Sequence, residues 1–153
     1  MSAIRAITLA LTLAALGFGQ GPAAPAAAPQ SSSPGFLALV QEAKSRIKEV
    51  STSELKTWME PGQKLMLIDV REDSEWQAGH AAEAAHLGKG ILERDLEKLF
   101  PDPKTEIIMY CGGGFRSALT CDAAQKMGYR NVHSLIGGYK GLVAVGWPMK
   151  SGE

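Results

Sequence analysis

Apolar and polar positions alternate along this chain with two different periods, and the switches between them outline its elements. Phe36, Leu39, Val40, Ala43 and Ile47 recur every three or four residues among Gln41, Glu42, Lys44, Arg46 and Lys48, which predicts an amphipathic helix over residues 36–50. Ser51 or Ser53 can cap a short helix through Leu55 and Trp58, ended by a Pro61-Gly62 turn. Residues 65–70 form an apolar run too brief for a helix, predicted as a buried parallel strand. A helical turn over 73–78, a short strand over 84–87 and a helix over 91–99 follow, the last closed by Pro101 and Pro103. Residues 106–110 read as a strand, 116–127 as a helix stopped at Gly128, 131–136 as a strand, and 139–145 as a final helix ended by Gly146 and Pro148. Strands and helices in alternation predict an α/β domain, a parallel sheet covered on both faces.

The amino end has a different pattern. One positive charge at Arg5 precedes an apolar stretch over residues 6–18, broken only by Thr8, Thr12 and Gly17. This predicts a secretory signal peptide over residues 1–19, followed by a disordered Ala/Pro/Ser linker over 20–35. The alternative is an uncleaved anchor, although the run falls short of the roughly 18–20 residues a span needs. A periplasmic or secreted mature chain with no membrane span is expected, with the folded domain over residues 51–150. Sixteen Lys and Arg balance sixteen Asp and Glu, and no basic run is interleaved with aromatics, so no nucleic-acid partner is expected.

The chemistry concentrates where the 106–110 strand ends. Cys111-Gly112-Gly113-Gly114-Phe115-Arg116-Ser117 is a cysteine, a glycine-rich turn and a helix start in succession. Unpaired N–H groups at such a turn stabilise a thiolate and can hold an anion. Cys121 lies further along the same predicted helix, which directs it away from the turn, and it reads as a small buried residue rather than a resolving thiol. His80, His86 and His133 show no zinc-ligand spacing, and the Gly137-Gly138 pair lacks a nucleotide-loop pattern. No metal or other cofactor is expected.

From about residue 50 to 148 the chain resembles the rhodanese (sulfurtransferase) domain family. The resemblance rests on Ile68-Asp69-Val70-Arg71, Glu75-Trp76, Gly79-His80, the 111–117 loop, Gly128-Tyr129-Arg130-Asn131-Val132 and Leu135-Ile136-Gly137-Gly138. It implies a three-layer α/β domain with a mainly parallel five-stranded sheet. It also implies an enzyme in which Cys111 takes a sulfane sulfur from a small anionic donor such as thiosulfate and passes it to cyanide or a thiol. By the same resemblance Gly112, Gly113, Gly114, Phe115, Arg116 and Ser117 form the substrate loop, while Asp69 and Arg71 support it. Phe115 is open to two readings, a shield over the sulfur or ordinary packing. Arg116 is open to two as well: it can pair with an anionic donor, or with an acid such as Glu72 or Glu75. Gly112 stands where many thiosulfate-preferring members carry a basic residue, which puts the donor in question.

Two other functions compete. A phosphatase also closes a cysteine loop with arginine at a helix start, but its signature has five intervening residues and this chain has four, Gly112 to Phe115. A non-catalytic or redox sulfur-carrier module would keep the fold and serve a partner protein.

Overall fold

The computed structural model describes residues 32–59 and 64–152. The expected signal peptide, most of the expected linker and the Pro61-Gly62 turn lie outside the described residues.

The first helix, α1 (Pro34–Lys44), starts because the Ser33 hydroxyl accepts the Phe36 N–H at 3.3 Å and Pro34 occupies the first turn, where no donor is needed. Two expectations are thereby corrected. The helix begins inside the expected linker and stops at Lys44 rather than running over residues 36–50. Lys48–Val50 is instead a strand, β1, drawn into a parallel ladder with Val132–Leu135. Ile47 continues the helical spacing and packs on the core, but from the turn that follows the helix. The sheet thus includes a strand that precedes residue 51.

Next come α2 (Thr52–Trp58), with a capping box in which the Ser51 hydroxyl accepts the Glu54 N–H and the Glu54 carboxylate accepts the Ser51 N–H, and β2 (Leu65–Asp69). Then follow α3 (Asp73–Ala78), β3 (His80–Ala81), β4 (Ala85–His86), a 3-10 turn at Lys89–Ile91 and α4 (Leu92–Leu99). The carboxyl half contains β5 (Glu106–Tyr110), α5 (Phe115–Lys126), β6 (Val132–Leu135), α6 (Gly138–Ala144) and β7 (Met149–Lys150). β3 and β7 were not expected from the sequence. They are two residues long and pair antiparallel, so only tertiary contact defines them.

The main sheet has the order β1-β6-β5-β2-β4, with every ladder parallel. This is the five-stranded α/β architecture expected from the sequence. Alternation along β5 divides the core between the two faces of the sheet. Ile107 and Met109 face a cluster with Leu92, Leu96, Cys121 and Tyr129, while Ile108 and Tyr110 face one with Val50, Leu55, Leu135 and Leu142. The first cluster lies under α4 and α5, the second under α2 and α6. Among the described residues no helix is long and apolar enough to cross a membrane.

Candidate functional site

β5 is the central strand, flanked by β2 and β6, and its carboxyl end delivers Cys111 into the crevice where such sheets bind ligands. The residue is only 2% exposed. Its sulfur is enclosed by the turn that leads into α5: the Gly114 N–H donates to Sγ at 3.2 Å and the Ser117 hydroxyl at 3.7 Å. Burial pushes the Cys111 thiol up, but the N–H groups of Ser117 and Gly113, the Ser117 hydroxyl and the Gly114 N–H together outweigh it. The thiol therefore lies below the ordinary cysteine value, as expected for sulfur at the start of a twelve-residue helix. Gly114 adopts φ +94°, and a Cβ there would come within 3.2 Å of the Leu135 carbonyl oxygen, so glycine allows the turn to close.

The six expected loop residues divide. Gly113, Gly114 and Ser117 address the sulfur. Gly112 faces the other way in hydrogen bonding, its carbonyl accepting the Lys140 N–H at 3.2 Å. Phe115 is 40% exposed and sets its ring 6.2 Å from that of Phe36 on α1, with the Lys44 ammonium 5.8 Å from its centroid. Its ring contacts are thus with α1. Arg116 is bound by acids: Nη1 and Nη2 donate to the two carboxylate oxygens of Glu75 at 2.6 and 2.8 Å. That pairing raises the guanidinium pKa and lowers that of the Glu75 carboxyl, while the nearby Cys111 thiolate raises Arg116 further.

Asp69 and Arg71 form a buried pair away from the sulfur. Arg71 donates from its backbone N–H and Nε to Asp69 Oδ1 at 2.9 and 3.0 Å, and from Nη2 to Oδ2 at 2.6 Å. The same Nη2 donates to the Gly79 carbonyl, and the guanidinium lies 4.0 Å from the centre of the Tyr139 ring. Tyr139 in turn donates its N–H to the Cys111 carbonyl at 2.7 Å. The pair is thus linked to the loop through Tyr139 on α6.

Three contributors were not fixed by local sequence. Ser134 on β6 meets the Ser117 hydroxyl at 2.8 Å and so fixes the donor beneath the sulfur. Glu75 was only one of two candidate partners for Arg116. Gly138, expected simply as a turn, presses its backbone against the loop: with φ +51°, a Cβ there would overlap the Cys111 carbonyl oxygen.

The histidines make stacking and hydrogen-bonding contacts. His80 stacks on Trp76 with centroids 3.4 Å apart and pairs Nδ1 with the Trp76 carbonyl, and His86 stacks near the same indole at 4.9 Å. His133 pairs with Glu106 at 2.6 Å. Cys121 is a free, fully buried thiol whose pKa is pushed up first by burial and then by the Cys111 charge.

A parallel sheet wrapped on both faces, with a single thiol cradled by N–H donors at the end of its middle strand, defines an α/β domain organised around one cysteine. Comparison with known proteins narrows the class. The model of the rhodanese-like domain matches residues 51–144, more than half of the chain. The chain belongs to the rhodanese-like domain family.

It is 37% identical over 87 residues to the Bacillus subtilis protein named "Putative sulfurtransferase YtwF", a match spanning 57% of this chain and 82% of that one. It is 29% identical over 89 residues to the thiosulfate sulfurtransferase GlpE of Coxiella burnetii, spanning 58% and 81%. Among solved structures, one from Rhodopseudomonas palustris, described as a protein of unknown function and possible tyrosine phosphatase, superposes with TM-score 0.70 at 26% identity, covering 80% of this chain and 99% of that one. The polysulfide-sulfur transferase homodimer of Wolinella succinogenes superposes with TM-score 0.66 at 26% identity, covering 76% and 88%. The relatives support an enzyme of the rhodanese family and sulfur transfer as its general chemistry.

Proposed function

We propose that the protein is a sulfurtransferase in which Cys111 carries the sulfur as a persulfide. The observation that supports this reading is the cradle at Sγ, where N–H and hydroxyl donors outweigh burial and keep the thiol below its ordinary pKa. A thiolate is the form that attacks an S–S bond. With thiosulfate, the Cys111 sulfur bonds to the outer sulfur, the S–S bond breaks, and sulfite departs with the electron pair. Cyanide or a thiolate then attacks the outer sulfur of the persulfide, and Cys111 leaves as the thiolate that began the cycle. The same donors that favour the thiolate stabilise a persulfide anion, and burial slows its hydrolysis and over-oxidation.

Intact mass spectrometry before and after incubation with a sulfur donor tests the proposal. A gain of ~32 Da that cyanide removes and Cys111→Ser prevents is the expected result. Turnover retained by Cys111→Ser would defeat it, and no adduct with any donor would favour a carrier or redox module serving a partner.

The likeness to the Rhodopseudomonas palustris protein brings a phosphatase reading into view. Against it stand the four residues between Cys111 and Arg116 and the engagement of that arginine by Glu75. Hydrolysis of p-nitrophenyl phosphate dependent on Cys111 would restore it. Export of the chain, expected from residues 1–19, is likewise a proposal, tested by fractionating cells that express the full sequence.

A further inference from the structure

The Arg116–Glu75 pair stands directly over the sulfur loop. A Cβ placed on Gly112, the residue after Cys111, would lie 3.4 Å from Arg116 Nη2 and 3.9 Å from Glu75 Oε1. Glu75 is fixed there by its own helix, since its Oε2 also accepts the Glu72 N–H at 3.3 Å in the first turn of α3. Glu72 adds a second carboxylate 3.7 Å from Arg116 Nη1. A guanidinium fork fits one planar carboxylate with two parallel bonds, and here that partner is supplied by the protein itself. The Arg71 guanidinium also acts on Glu75 through its charge but is itself bound by Asp69, so two guanidinium groups face three carboxylates and the cluster has a net negative charge.

We propose that Glu75 is a specificity-determining residue of the Cys111 site: by occupying the Arg116 fork it disfavours dianionic reagents, and the preferred sulfur donor is a neutral or zwitterionic hydropersulfide rather than thiosulfate. The donor class rests on the sulfurtransferase reading above, whereas the charge discrimination does not. With a hydropersulfide R–S–SH, the Cys111 thiolate bonds to the outer sulfur and the S–S bond breaks with its electron pair going to R–S. The outer sulfur's proton passes to that leaving group. The products are R–SH and the Cys111 persulfide anion, and no oxidant or reductant is consumed. With thiosulfate the same step brings a dianion towards a thiolate, with the Arg116 guanidinium already paired and two carboxylates beside it. Glu75 acts through charge and position and makes no bond to the substrate.

Alkylation supplies a test free of any sulfur chemistry. Iodoacetate and iodoacetamide offer the thiolate the same carbon, from which iodide leaves, and differ by one negative charge, and site-resolved mass spectrometry separates reaction at Cys111 from reaction at the buried Cys121. In Glu75→Gln, which keeps the acceptor for the Glu72 N–H, the ratio of iodoacetate to iodoacetamide rates at Cys111 is expected to rise roughly five- to tenfold. Glu72→Gln, on an exposed side chain, is expected to raise the ratio by less, and it keeps the test decisive if the Glu75 variant fails to fold. In sulfur transfer, Glu75→Gln lowers KM for thiosulfate relative to KM for cysteine hydropersulfide, so the ratio of the two kcat/KM values shifts towards thiosulfate. An unchanged ratio in both variants, or equal changes for both reagents, overturns the proposal, because a merely structural role would move both together. A raised ratio in a protein that accepts sulfur from no donor supports the charge discrimination and overturns the sulfurtransferase reading instead.

Discussion

Replacing Gly138 by alanine would test whether α6 holds the sulfur loop in place. At φ +51° the backbone is left-handed, and the added Cβ would overlap the Cys111 carbonyl oxygen and stand 3.1 Å from the Gly113 nitrogen. Both atoms belong to backbone, so neither can swing aside. Left-handed backbone costs alanine about 1–2 kcal/mol. Overpacking against a rigid neighbour adds about 1–3 kcal/mol. The combined loss of about 2–5 kcal/mol is a large fraction of the about 5–15 kcal/mol that holds a typical domain together. Two controls separate the terms. Gly137→Ala carries the left-handed cost alone, since at φ +74° its Cβ would meet the Gly141 Cα at an ordinary 3.4 Å. Gly113→Ala would meet nothing within 4 Å and should stay within about 0.5 kcal/mol of the parent. Urea unfolding of the three variants under one set of conditions gives the order directly. Cys111 alkylation should slow in Gly138→Ala and hold its rate in Gly137→Ala. If Gly138→Ala proves no less stable than Gly137→Ala, the packed contact between α6 and the loop is not what restrains it.

Other perturbations probe the supports around the site. Asp69→Asn leaves the buried Arg71 guanidinium without its counter-charge and should cost about 3–5 kcal/mol in thermal or urea unfolding; a loss under about 1 kcal/mol would mean the pair is dispensable. Asp122, joined to Arg46 at 2.7 Å, is held at about 2 against an ordinary 3.8, mainly by that hydrogen bond. A depressed carboxyl stabilises the fold above its unfolded pKa, so this contribution is present above about pH 4 and disappears as pH falls towards about 2. Urea midpoints measured across that window should fall less steeply in Asp122→Asn than in the parent, and parallel curves would contradict the assignment. Ser117→Ala removes one donor from Sγ while the N–H donors stay; alkylation of Cys111 at neutral pH should slow roughly threefold or more and recover at alkaline pH. A deficit that persists at alkaline pH would mean that the hydroxyl does something other than favour the thiolate.

The parts of this domain that were legible in the sequence are those specified by short stretches of chain. The apolar run at 106–110, the cysteine, three glycines and a helical pattern occupy consecutive positions, so β5, the loop and α5 can be read together. β1 could not be read, because Ile47, Lys48 and Val50 extend the spacing of a helix and only the ladder to β6 reveals Lys48–Val50 as a strand. The partners of the site were hidden for the same reason. Ser134 meets Ser117 across seventeen positions and Glu75 meets Arg116 across forty-one. Arg116 had two physically sound partners in the sequence, a donor anion or a nearby acid, and the placement of α3 beside the loop is what brings Glu75 to it.

Cys121 shares a core cluster with Cys111, yet it is fully buried and its thiol is pushed up away from the reactive form. On the sulfur-carrier reading this sets a capacity of one. There is no second thiol poised to drain the persulfide from within, so each sulfur stays until something outside the fold collects it. The loaded fraction at steady state then equals the loading rate divided by the sum of loading and unloading rates. A population of such domains would register the balance between donors and acceptors around it, in the manner of a gauge.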